Sequence, residues 1–183
     1  MSDDDLIDAN LAAQFAIHDT TGDGLLTAAD FQRHVDWATT ALSLDERRSQ
    51  ALQDAYTAWW HQIRAGADTD ADGAVTLPEY IASIRSGVND RPEYFSVVDQ
   101  VCRAIFQSVD TDDDGSISAA EFARYWTAVK IDPDTTRTAF DHLDTDGDGT
   151  VSWAEFLAGV HDFFTSTDPD APGTWLAGRP PSV

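Results

Sequence analysis

Residues Asp144–Glu155 read DTDGDGTVSWAE. Aspartates occupy the first, third and fifth positions, glycine the sixth, valine the eighth and glutamate the twelfth. Three other windows repeat this frame: Asp19–Asp30 (DTTGDGLLTAAD), Asp68–Glu79 (DTDADGAVTLPE) and Asp110–Glu121 (DTDDDGSISAAE). Together they hold about half of the 33 acidic residues and no Lys or Arg, so most of the formal charge of −22 has a local cause. Like charges about 4 Å apart cost roughly 1 kcal/mol per pair in water, and more beside a protein surface. A window built this way repels itself unless a cation sits inside it.

The frame also says which cation. A hard ion such as Ca²⁺ takes six to eight oxygen ligands at about 2.3–2.6 Å. Side chains at positions 1, 3 and 5, the backbone carbonyl of position 7 and a bidentate carboxylate at position 12 supply them. The sixth residue must turn sharply with positive φ, which glycine does at least cost, and Gly24, Gly73, Gly115 and Gly149 stand there. The apolar eighth residues, Leu26, Val75, Ile117 and Val151, can enter the core while adjacent loops pair through a short β-bridge.

The expected ligands of the second loop are Asp68, Asp70, Asp72, the Ala74 carbonyl and Glu79. Those of the third are Asp110, Asp112, Asp114, the Ser116 carbonyl and Glu121. The fourth has Asp144, Asp146, Asp148, the Thr150 carbonyl and Glu155. The first loop offers Asp19, Thr21, Asp23, the Leu25 carbonyl and Asp30. Its neutral Thr21 and shorter Asp30 weaken Ca²⁺ coordination and narrow the advantage over Mg²⁺. Three or four calcium ions are therefore expected, with Mg²⁺ an alternative at the first loop.

Helical periodicity flanks every window. Ile7, Leu11 and Phe15 precede the first, and Phe31, Val35, Ala38 and Leu42 follow it. Leu52, Tyr56, Trp59, Trp60 and Ile63 lead into the second. Val98, Val101, Cys102, Ile105, Phe106 and Val109 lead into the third. Thr76-x-x-Glu79, Ser118-x-x-Glu121 and Ser152-x-x-Glu155 read as capping boxes, so one carboxylate both starts the exit helix and closes the loop. Ser43-x-x-Glu46 reads as another, and Asp132-Pro133 as N-cap and first helical residue.

Loop and flanking helices together resemble the EF-hand. The predicted fold is all-α: four EF-hands in two paired lobes, calmodulin-like but compact, with short β-bridges between loops. The lobes are expected over 1–88 and 92–165, with an irregular tail over 166–183 whose Trp175 and Leu176 can dock back. The wide spacing of the first two loops, the short join Ser86–Arg91 and the ending HDFFTSTDPDAPGTWL resemble the calerythrin and sarcoplasmic calcium-binding protein group. That resemblance implies one compact globule that buffers calcium.

A chain this acidic does not bind nucleic-acid backbones or anionic membranes by charge. A lone Cys102 excludes an intrachain disulfide and a cysteine zinc site. The opening MSDDDLID has neither a basic nor an apolar leader segment, and a cytoplasmic monomer is expected. His18, His34, His61, His142 and His161 show no paired ligand spacing. Nothing has the form of an activated nucleophile, so no enzyme is expected. Met1 is the only methionine, which disfavours the Met-rich groove of promiscuous sensors. A calcium buffer is the first expectation. A sensor acting on a specific protein partner is the alternative, and a photoprotein-like ligand carrier a third.

Overall fold

The computed structural model describes residues 3–68, 71–91 and 93–177. Each window lies between two helices. α1 (Asp3–His18) and α2 (Ala28–Leu42) flank the first, and α3 (Glu46–Ala67) and α4 (Leu77–Asp90) the second. α5 (Tyr94–Val109) and α6 (Ala119–Ala128) flank the third, and α7 (Pro133–Leu143) and α8 (Trp153–Thr165) the fourth. No described helix is long and apolar enough to cross a membrane.

Short strands carry the eighth position of each loop: β1 (Leu25–Leu26), β2 (Val75–Thr76), β3 (Ser116–Ser118) and β4 (Thr150–Ser152). β1 pairs antiparallel with β2, setting Leu26 opposite Val75. β3 pairs with β4, setting Ile117 opposite Val151. All four of these side chains are fully buried. The loops are thus coupled two by two, and their apolar residues anchor both bridges in the core.

Exit helices start where the sequence places them. Thr76, Ser118 and Ser152 cap α4, α6 and α8 in reciprocal boxes with Glu79, Glu121 and Glu155. Thr27 and Asp30 form a fourth box at α2. Asp132 caps α7 through the amides of Asp134 and Thr135. One expected box is absent. Asp45, not Ser43, caps α3 by accepting from the Arg48 amide. Ser43 instead closes α2 in the left-handed conformation, φ 54°. Two rival caps sat two residues apart, and the helix-ending turn took the first of them.

One buried cluster includes residues from all eight helices. Across the two halves, α3 packs on α5, α2 on α6 and α1 on α8. α4 runs on to Asp90, so only Arg91, Pro92 and Glu93 separate it from α5; Pro92 lies outside the described residues.

The tail is partly ordered. Residues Pro172–Trp175 form a 3-10 turn against α7 and α8. Trp175 stacks on His142 with ring centroids 4.4 Å apart, and the Trp126 indole donates to the Leu176 carbonyl at 3.5 Å. A Cβ on Gly173 would collide with the Gly159 carbonyl of α8, so the backbones approach because Gly173 lacks a side chain.

Candidate metal centres

The loops are shaped by their own carboxylates. The first aspartate turns an oxygen onto the amide of the sixth residue in each: Asp19 to Gly24 at 2.8 Å, Asp68 to Gly73 at 3.2 Å, Asp110 to Gly115 at 3.1 Å and Asp144 to Gly149 at 2.9 Å. The fifth accepts from the amide of the seventh: Asp23 from Leu25, Asp72 from Ala74, Asp114 from Ser116 and Asp148 from Thr150, at 2.8–3.0 Å. These bonds wrap the chain around a centre before any ion is considered. The four sixth-position glycines have φ between 82° and 88°, as the bend requires.

The fourth position is also left-handed, which the sequence reading missed. Gly22, Ala71, Asp113 and Gly147 have φ of 71°, 60°, 58° and 72°. The signal was available in the glycines of the first and fourth loops. Asp and Ala in the other two concealed it, since aspartate tolerates this region and alanine does not.

In the third loop, oxygens of Asp110, Asp112 and Asp114 lie within 4.8 Å of one another, and so do those of Asp144, Asp146 and Asp148 in the fourth. These are the expected ligands at positions 1, 3 and 5. Both sets are oxygen-only and anionic, a donor chemistry that suits a hard cation over a thiophilic metal. In the second loop Asp70 lies outside the described residues. In the first, Thr21 donates to Asp19 at 3.2 Å. The seventh residues Leu25, Ser116 and Thr150 open β1, β3 and β4, and Ala74 directly precedes β2.

The twelfth-position carboxylates sit in prepared sockets. Glu121 accepts from the amide and hydroxyl of Thr111 on one oxygen and of Ser118 on the other, at 2.7–3.0 Å. Glu155 repeats this with Thr145 and Ser152. Glu79 accepts from Thr76 at 2.9 and 2.7 Å. Burial acts to raise the Glu121 and Glu155 carboxyls, but these bonds outweigh it, and Glu155 is held down at about 2. Asp110 goes the other way. Its burial and the charges of Asp114 and Glu121 raise it, against the amides of Gly115 and Asp114. A carboxylate destabilised by like charges is what a bound cation relieves.

The first two loops differ from the last two in one respect. Arg33 donates to Asp30 at 3.3 Å and Arg64 to Asp68 at 3.1 Å, so a guanidinium already sits on one expected ligand of each. Asp30 also accepts from Thr20 and Thr27 at 2.7 Å and is buried. The pair Arg48–Asp113 touches the third loop only at its fourth position, at 2.6 Å.

Residues 99–160 match the family model of the EF-hand domain pair. The chain carries an EF-hand domain pair there. It is similar to calerythrin of Saccharopolyspora erythraea, 28% identical over 123 residues that span 65% of this chain and 70% of the relative. A Streptomyces coelicolor calcium-binding protein superposes with a TM-score of 0.76 at 28% identity, covering 87% of this chain and 98% of its own. The Ca²⁺-regulated photoprotein mitrocomin of Mitrocoma cellularia reaches 0.77 at 22% identity, covering 96% and 91%; at that identity the likeness is one of fold. The all-helical fold of paired EF-hands expected from the loops is the one observed.

Proposed function

We propose that this protein is a cytoplasmic calcium buffer, a monomer that takes up three or four ions through its EF-hand loops. The observation that carries the reading is the convergence of Asp110, Asp112 and Asp114, and of Asp144, Asp146 and Asp148, into two clusters of hard oxygen donors. Asp19, Asp23 and Asp30 with Thr21, and Asp68, Asp70, Asp72 and Glu79, complete the other two loops. The backbone carbonyls of Leu25, Ala74, Ser116 and Thr150 supply the seventh-position ligand. Filling the loops removes repulsion among their carboxylates, so binding stabilises the fold by linkage. The first loop, with Asp30 already engaged by Arg33, is the one at which Mg²⁺ competes best.

Buffering without a partner is supported by the shared core. α2, α3 and α5 pack against helices of the opposite half or the opposite hand, and the lone methionine leaves no Met-rich groove to expose. The test is dye-detected apolar surface with calcium and with chelator. A buffer shows little difference between the two; a several-fold calcium-dependent gain contradicts it.

A second reading has an observation of its own. The Streptomyces coelicolor relative is described as a calcium-binding protein in calcium-mediated regulation. By that likeness this chain would be a sensor whose partner is held with calcium and released by chelator.

A further inference from the structure

Cations cross the seam between the two halves. Arg48, in the first turn of α3, donates to Asp113 at 2.6 Å, across 65 residues of chain. Arg124 of α6 donates to the Ala41 carbonyl in the last turn of α2 at 3.3 Å. Lys130, just past α6, stands 5.1 Å from the centre of the Trp37 ring of α2. Three of the chain's 11 basic residues are thus spent on one boundary, and each contact ties the third hand to the first half.

The three contacts differ in what they hold. Arg124 meets a helix C-terminus, whose last carbonyls lack intrahelical partners and carry partial negative charge. Lys130 rests on an aromatic face. Both hold α6 against α2. Arg48 reaches the third loop itself. Its side chain is 15% exposed and that of Asp113 79% exposed, so the arginine is the fixed partner. The Asp45 cap on the Arg48 amide and the packing of α3 on α5 set where that side chain starts. Asp113 is the fourth residue of the loop, between the expected ligands Asp112 and Asp114 and outside their cluster.

A positive charge in this place opposes a second one. The empty third loop carries five carboxylates, those of Asp110, Asp112, Asp113, Asp114 and Glu121, and together they attract Arg48. Ca²⁺ cancels two of those charges and repels the guanidinium directly. The pair therefore holds best while the loop is empty. Linkage makes the effect reciprocal: whatever the ion takes from the pair, the pair takes from the ion's affinity. Because Arg48 belongs to the first half, the exchange connects filling of the third loop to the docking of the two halves.

We propose that Arg48 and Asp113 form a calcium-responsive clasp, which fastens the third loop to α3 while the loop is empty and slackens as the loop fills. Arg124 and Lys130 keep α6 docked throughout, so the slackening exposes a polar contact and leaves the shared core covered. The clasp rests on the reading that the third loop binds calcium. It adds a route by which occupancy of the second pair of hands is felt in the first.

The experiment is a calcium titration of the full chain, followed at the third loop through the Gly115 amide resonance, in the wild type, Arg48→Gln, Asp113→Asn and the double variant. Arg48→Gln is expected to raise the affinity of the third loop about two- to fivefold at low salt. Most of that gain is expected to vanish in about 1 M potassium chloride, where charges are screened beyond about 3 Å. With Asp113→Asn already in place, nothing fixes the guanidinium at the loop, and the same substitution is expected to change the affinity less than about twofold. Arg48→Gln is also expected to lower the urea midpoint in chelator, and to lower it less in saturating calcium. A third loop that fills in the wild type and does not respond to Arg48→Gln overturns the clasp and leaves calcium binding standing. Equal gains with and without Asp113 overturn it too, since the charge would then act without the pair. A third loop that takes up no calcium overturns both readings.

Discussion

The hydroxyls of Tyr56 on α3 and Tyr125 on α6 lie 2.8 Å apart, both buried, and join the first pair of hands to the second. Burial raises both phenols far out of the physiological range, so the bond is between neutral groups. Removing one hydroxyl leaves the other unpaired in the core. Tyr125→Phe is expected to lower the stability of the calcium-free protein by about 1–3 kcal/mol, measured by urea unfolding. The double variant Tyr56→Phe/Tyr125→Phe is expected to lose less than the two single losses added together, because neither orphan then remains. Strict additivity would contradict the linkage.

Arg64 and Asp68 make a different kind of pair. Here the guanidinium sits on a carboxylate wanted for calcium, with Arg64 about half exposed. An exposed pair contributes about 0.2–1 kcal/mol. Arg64→Gln is therefore expected to raise the calcium affinity of the second loop by about two- to fivefold, read through the fluorescence of the nearby Trp59 and Trp60. An unchanged or lower affinity would show that the arginine does not compete.

Ala71 holds φ 60° at the fourth position of the same loop. A left-handed residue with a Cβ costs roughly 1–2 kcal/mol, and glycine removes that cost. Ala71→Gly is expected to raise the melting temperature of the calcium-loaded protein. The matching change Gly147→Ala is expected to lower it, since Gly147 has φ 72°. The same sign for both would be inconsistent with strain at this position.

His18 and His34 set a pH dependence for the calcium-free protein. Burial lowers His18 from 6.5 to about 4, partly opposed by Asp30, and lowers His34 well below its ordinary value, helped by His18. The unfolded chain thus binds protons more readily. Stability is fully present above about pH 6.5 and falls as pH drops toward the folded values. For His18 the full effect is about 3 kcal/mol. Glu155, held at about 2, does not yet titrate in this window, while Asp110, raised, works in the opposite direction. Urea unfolding in chelator is expected to show the loss between pH 6.5 and 4.5, and His34→Phe to reduce it. A flat profile in the wild-type protein would contradict burial of these imidazoles.

The loops and their helices were legible because each ligand position is fixed by local chemistry. A glycine bend, a capping box and an apolar eighth residue all lie within a dozen residues, and the structure places Ile117 opposite Val151 as that reading requires. What was not legible depends on tertiary contact. The Arg64–Asp68 and Arg33–Asp30 pairs are the exception: they are i,i+4 and i,i+3 neighbours, open to a reading by spacing and passed over because a basic residue near a helix end is ordinarily a solvated one. Nothing local brings His18, His34 and Trp59 from three helices to one cavity wall. The cap of α3 failed because Ser43 and Asp45 are both good N-caps, and only the left-handed close of α2 at Ser43 decides between them.

The most direct test is equilibrium dialysis of the full chain against micromolar free Ca²⁺ with millimolar Mg²⁺ present. Three or four bound calcium ions per chain are expected, falling by about two in Glu121→Gln/Glu155→Gln, whose third and fourth loops lose their closing carboxylates. Fewer than three ions in the wild-type protein, or no loss in the variant, would contradict calcium binding through these loops.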